Sequence, residues 1–242
     1  MKKFTLIEVL IVISIIFILA SVLLPSLTKA REKAMFSICI SHRDRIYKAM
    51  FTGIEEHDNY TPTIRDGNWT NPPNPKWEYD DWLGASRRDG GKLINGVIEE
   101  YFPDYKQYTR CPSLPNGVPG DGKGSNGFFD YTFSPALGRL DIYKIPLELT
   151  WKGQQVAVPY VLEEDPESIN GVNTEAAFAY TDNLGSWHDF GRKGGYTAID
   201  GHSEVLYDHG DTFEANLLQI EYEGSIKVMN FTSSLERWPR PW

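Results

Sequence analysis

The sequence predicts an α+β fold in which a long N-terminal helix packs on an antiparallel β-sheet. Three observations carry that prediction. The run Phe4–Leu24 is apolar with little interruption, and at about 1.5 Å per helical residue it is long enough to cross a hydrocarbon core of roughly 30 Å. Past Pro25 the helical pattern resumes, with Leu27, Ala30, Ala34, Ile38 and Ser41 at three- and four-residue spacings, a stripe of mostly small residues that lets the helix lie close against a sheet or another helix. The second half of the chain breaks into short strand-like stretches, two of them joined by Asp200-Gly201, a favoured hairpin turn.

Composition sets the bounds. The 242 residues accommodate the apolar helix and one domain large enough to bury a core. A formal net charge of −9 with no basic stripe to neutralise phosphates argues against nucleic acid as a partner. A secretory signal would have a shorter apolar part ending in small residues, and Leu23-Leu24-Pro25-Ser26 does not fit that pattern. Lysines flank the run on both sides (Lys2 and Lys3 before it, Lys29 and Lys33 after it), so charge alone does not orient it.

Glu8 stands out in the apolar run. A carboxylate within a membrane helix is costly and tends to be functional. Two readings stay open on the residues: Glu8 lies at the headgroup level of a plain anchor, or it awaits a positive group from another copy of the chain.

Lys2-Lys3, then Phe4-Thr5-Leu6-Ile7-Glu8, the apolar run and Pro25 together resemble the N-terminus of the type IV pilin and type II secretion pseudopilin superfamily. The resemblance covers about the first thirty residues. It implies a basic leader, residues 1–3, removed by a prepilin peptidase between Lys3 and Phe4, with methylation of the new amine on Phe4. It further implies that Glu8 docks subunits in register, that Pro25 kinks the helix, and that residues 4–26 form the transmembrane and assembly helix. The family usually carries Gly where this chain has Lys3. On the same resemblance, residues 27–242 form an extracytoplasmic pilin-like domain with a spine helix over about 27–55. The implied partners are the inner membrane, the peptidase, and copies of the chain or other pilin-like subunits in a periplasmic or cell-surface filament.

Along the domain, Arg31, Glu32, Lys33, Arg43, Asp44, Arg45 and Lys48 fall between apolar positions, as expected of a helix whose charges face water. The helix is expected to end between Gly53 and Asn59. From Tyr60 to Gly84, prolines forbid a long regular element. There Trp69, Trp77 and Trp82 beside Asp80 and Asp81 either pin the loop to the domain or form a polysaccharide platform, the alternative function considered for the chain. A short helix is expected within Gly90–Phe102. The glycine-rich stretch Gly117–Gly127 lacks the Lys-Ser or Lys-Thr of a phosphate loop. Val156–Leu162, interrupted by Pro159, suits an edge strand, and Glu163-Glu164-Asp165 reads as a solvated acidic turn. Ala176–Tyr180 is a strand candidate. Leu218–Tyr222 and Ile226–Met229 flank Glu223-Gly224 as a hairpin, and the tail Trp238–Trp242 cannot be helical.

In the Asp200-Gly201 hairpin, a two-residue turn would set Ala198 opposite Ser203 and Tyr196 opposite Val205, with Tyr196, Ala198 and Val205 lying on the spine helix. His188, Asp200, His202, Asp208 and Asp211 are metal candidates by residue type. Their spacing matches neither a calcium loop nor a zinc set, so no cofactor is expected, with calcium as the one possible ion. No serine or cysteine sits in a recognisable nucleophile elbow, which argues against an enzyme. Cys39 and Cys111 are the only cysteines. Outside the cytoplasm such a pair is more often a disulfide than a metal site, with two buried thiols as the other reading. Cys39, Cys111-Pro112 and a His ahead of Asp200-Gly201 also resemble a subgroup of large pilin-like proteins.

Overall fold

A computed structural model describes residues 5–62, 88–89, 92–93, 97–113, 130–133, 137–138, 140–151, 154–163, 188, 193–207, 214–222 and 225–233. Helix α1, Leu6–Glu56, is continuous. It runs through Pro25, whose ring nitrogen cannot donate to the carbonyl one turn back, and the surrounding turns hold the helix together across that gap. From Thr5 to Arg31 every residue is exposed except the half-buried Ala20. This is one helix long and apolar enough to cross a membrane. Its lower part is different: Cys39, Arg43, Ile46, Tyr47, Met50, Gly53 and Ile54 are buried along one face, three and four residues apart as a helical stripe requires. The stripe expected from small residues is not the packing face, since Leu27, Ala30, Ala34, Ile38 and Ser41 are exposed. The face is set instead by the residues in register with Cys39. The C-terminus lies where expected. His57 N–H bonds back to Gly53 and Ile54, and Asp58 and Asn59 turn the chain with φ of 54° and 69°.

Four antiparallel strands form the sheet on which α1 packs, in the order β3–β6–β7–β8. Numbered along the chain, β1 (Arg88–Asp89) and β2 (Lys92–Leu93) make a small hairpin, and α2 (Val97–Tyr101) leans on α1. β3 is Tyr131–Phe133; β4 (Glu148–Trp151) pairs with β5 (Gln154–Ala157). β6 is Pro159–Glu163, β7 Lys193–Ala198 and β8 Ser203–Tyr207. β9 (Glu214–Tyr222) and β10 (Ser225–Ser233) form the C-terminal hairpin about residues 223–224, as the alternation predicts. Of the expected Gly90–Phe102 helix, Val97–Tyr101 is helical as α2, whereas Lys92–Leu93 is strand.

Two strand expectations are corrected. Val156–Leu162 is not one edge strand: it divides between β5 and β6, and β6 lies between β3 and β7. Pro159 is tolerated there because it opens the strand beside a register shift. In the Asp-Gly hairpin, Thr197 pairs with Ser203, Tyr196 with Glu204 and Gly195 with Val205. The loop holds three residues, not two. Ala198 N–H donates to His202 O at 2.8 Å, Gly201 N–H donates to Ala198 O at 2.9 Å, and Gly201 alone takes a positive φ, 90°, which fits a tight turn closed by a glycine bulge. One residue of slip moves side chains to opposite faces. Val205 therefore shares the helix-facing side with Gly195, and Tyr196 and Ala198 are buried on the other side, where Tyr196 donates its hydroxyl to Ala157 O at 3.2 Å.

The turn is fixed by the helix. Tyr47 donates its hydroxyl to Ile199 O at 2.8 Å, and its ring lies where a Cβ on residue 201 would stand, 2.6 Å from the nearest ring carbon. The core joins Ile46, Met50 and Ile54 to Tyr131, Phe133, Tyr160, Val161 and Leu162. Tyr160 meets Tyr47 and Phe133 edge to face, at centroid distances of 6.2 and 4.7 Å.

Candidate functional site

Two places on the described chain carry groups whose chemistry exceeds packing: the start of α1 and a buried charge cluster beside the disulfide. At the first, Thr5 and Glu8 form a reciprocal cap. Glu8 Oε2 accepts from Thr5 N–H at 2.8 Å and from the Thr5 hydroxyl at 2.7 Å, and the Thr5 oxygen accepts from Glu8 N–H at 3.4 Å. Thr-x-x-Glu before an apolar run is a recognised helix-start pattern, and it is the signal that sequence reading missed at Thr5. The negative end of Glu8 also lies at the positive pole of the helix dipole. In the single chain Glu8 is thus held by its own helix. Lys3 and Phe4 lie outside the described residues.

The second place is assembled by α1, β6 and the segment ending at residue 113. Cys39 and Cys111 are joined as a disulfide, with Cα atoms 5.4 Å apart. One turn below Cys39, Arg43 extends into the interior and pairs through Nη1 with Glu163 Oε1; both side chains are fully buried. Neither was expected there. By sequence pattern Arg43 falls among the charges expected to face water and Glu163 in an acidic turn, yet both are buried here. The placement of Arg43 follows from the helical period counted from Cys39, and Glu163 ends β6 on the side that faces α1. Gly195 of β7 makes room, since a Cβ there would come within 2.7 Å of Arg43 Nη2.

His188 completes the cluster. It is fully buried, with Nε2 3.3 Å from Glu163 Oε1 and 3.5 Å from Cys111 Sγ, and Phe36 packs on its ring at 4.6 Å. Asp130 accepts from Cys111 N–H at 2.6 Å. Burial pushes the Asp130 carboxyl up to about 6, against the pull of that N–H and of Arg110. The strand residue Tyr131 is likewise held well above the usual phenol range, by burial first and by Glu163 next. The segment before Cys111 is tied to the helix by Arg45, which donates to the Tyr108 hydroxyl at 2.8 Å and lies 4.7 Å over its ring.

The residues grouped earlier as metal candidates do not share one site. His188 is enclosed by Glu163, Cys111 and Phe36, whereas His202 is exposed on the β7–β8 hairpin with Nδ1 on Asp200 and Nε2 on Glu204. Partial burial lowers the His202 pKa, but the hydrogen bonds and charges of Glu204 and Asp200 outweigh it and hold the ring above its ordinary value. Asp200 is occupied further by accepting from His202 N–H at 3.2 Å, a turn role. Asp208 and Asp211 lie outside the described residues, as do Trp69, Trp77 and Trp82, the Gly117–Gly127 stretch, Ala176–Tyr180 and the tail 238–242.

No family model, no curated protein and no solved structure matches this chain.

Proposed function

We propose that this chain is a structural subunit of the prepilin type, held in the inner membrane by α1 and assembled through that helix into a type IV pilus or a type II secretion pseudopilus. The observation that carries the reading is the unburied apolar surface from Leu6 to Leu24, interrupted by a single carboxylate at its start. Inside a membrane that surface is matched by lipid. In a filament it is matched by the same surface of neighbouring copies, which exchanges lipid contacts for helix packing. The globular domain stays outside the cytoplasm, and the role is structural, not catalytic.

The start of the helix supplies register. The Thr5–Glu8 cap is a resting arrangement of a single chain: it satisfies the carboxylate locally while no neighbour is present. Cleavage between Lys3 and Phe4 by a prepilin peptidase would leave an amine one residue before Thr5. A neighbour's amine then competes for Glu8, and an ion pair in a dry helix bundle adds charge–charge attraction that the Thr5 donors, which carry no net charge, do not supply. Methylation of the Phe4 amine keeps its charge.

Glu8→Ala removes the carboxylate without adding a barrier to insertion. The expected outcome is normal membrane fractionation with incorporation into filaments lost, read by immunoblotting of membrane and sheared-filament fractions. Wild-type filament yield from the Glu8→Ala chain would refute the docking role. A second measurement, mass spectrometry of the N-terminal peptide from membranes, is expected to find Phe4 as the first residue and methylated. An intact Met1 in assembled material would remove the processing step from the proposal.

A further inference from the structure

We infer that the pocket closed by the Cys39–Cys111 disulfide is a redox-gated metal site, which binds one zinc ion when the two cysteines are in the dithiol form. The inference is independent of the assembly reading. Sγ of Cys39, Sγ of Cys111 and Nε2 of His188 all lie within 4.8 Å of one another, and all three residues are buried. Glu163 Oε1 lies 3.3 Å from His188 Nε2, at the edge of that trio, where a small shift of its side chain would bring a fourth donor to the ion.

The spacing suits a tetrahedral ion. Zinc–sulfur bonds of about 2.3 Å and zinc–nitrogen or zinc–oxygen bonds of about 2.0–2.2 Å place neighbouring donors roughly 3.3–3.8 Å apart. The Cys111–His188 and His188–Glu163 separations, 3.5 and 3.3 Å, already fall there. The two bonded sulfurs must part to reach that spacing, and the bond between them is what must be broken for it. Two thiolates, an imidazole and a carboxylate are a donor set that zinc accepts, whereas calcium and magnesium require oxygen.

The charge balance also suits it. In the disulfide form, Arg43 and Glu163 cancel within the buried pocket. Reduction and zinc binding add two negative thiolates and two positive charges, so the pocket stays neutral, as an interior site must. The disulfide form leaves polar capacity unused: among the described residues Glu163 Oε2 and Arg43 Nε and Nη2 are buried without hydrogen-bond partners. A bridging Glu163 resolves this, with one oxygen on the ion and the other on the guanidinium, which fixes the ligand carboxylate as outer partners commonly do.

The chemistry balances in two steps. A dithiol reductant gives two electrons and two protons to the disulfide, leaving two cysteine thiols and a reductant disulfide. Zinc then displaces the two thiol protons into solvent, and His188 binds through Nε2 with its remaining proton on Nδ1.

The test uses the full chain in detergent micelles under anaerobic conditions, with zinc and cobalt salts as probes. The oxidised chain should take up no stoichiometric metal. The reduced chain should bind one equivalent of cobalt with thiolate charge-transfer bands and the intense visible bands of a tetrahedral ion. Zinc absorption spectroscopy of the same wild-type chain should show two sulfur ligands, one imidazole and one oxygen. His188→Ala should lower zinc affinity about tenfold or more. If reduction loosens the fold, zinc should restore a cooperative melt. A reduced chain that binds no equivalent of metal, binds it through sulfur from two chains, or stays unfolded in zinc would overturn the inference. So would a His188→Ala chain that folds and binds zinc as tightly as wild type.

Discussion

Arg43 and Glu163 show how much a single pair of side chains can decide. Both are withdrawn completely from water, at a solvation cost that their attraction repays only while both are present. Arg43→Met should therefore cost about 3–5 kcal/mol, because it leaves a buried carboxylate with no counter-charge. Arg43→Met combined with Glu163→Leu should recover most of that loss, as urea denaturation of the oxidised chain would show. Asp130 gives a pH signature at the same scale. Its folded pKa, raised to about 6 from an ordinary 3.8, means that the fold prefers the neutral acid. The preference is complete below the ordinary value and is lost as pH rises through 6, with a span of up to about 3 kcal/mol. Asp130→Asn keeps an acceptor for Cys111 N–H and should flatten the melting temperature across that interval. The protonation preference of Asp130 was not legible in the sequence, because it depends on burial that the short stretch around it does not announce.

At the scale of elements, α1 and the β7–β8 hairpin were legible in different degrees. The helix was readable from end to end: an apolar run, a resumed helical period beyond Pro25, and no strong breaker before Gly53. Its packing face was not, since a stripe of small residues and a stripe containing a cysteine and an arginine both satisfy helical spacing, and only the sheet selects between them. The hairpin was readable as a hairpin because Asp-Gly marks the turn. Its register was not, because a two-residue and a three-residue loop both place that pair at the tip, and Tyr47 decides between them by bonding Ile199 O. Gly201→Ala tests this directly. At φ 90°, with a ring carbon 2.6 Å from the new methyl, the substitution should destabilise the domain by about 1–3 kcal/mol. Tyr47→Phe, which keeps the ring and removes the bond, should cost about 1 kcal/mol, both read from denaturation midpoints.

The whole molecule divides its length between two environments. From Thr5 to Arg31 the chain buries almost nothing, and from Cys39 the same helix is the floor of a packed domain. A fragment of residues 27–242 should be soluble without detergent and sediment as a monomer, while the full chain should require detergent. A fragment that self-associates as the full chain does would move the assembly surface into the domain. This division was legible in the sequence because hydrophobic length needs no tertiary context. The buried cluster was legible only as scattered residues, since Arg43, Glu163 and His188 meet through contacts between positions far apart in the chain.

Cys39 is the first fully buried residue that α1 meets on its way into the domain, and it is covalently joined to Cys111 across 72 residues of sequence. Any mechanical load carried along α1 from its N-terminal end therefore reaches a covalent rivet before it reaches the hydrophobic interior. There a covalent bond, and not side-chain packing alone, ties the helix to the segment that leads into the sheet.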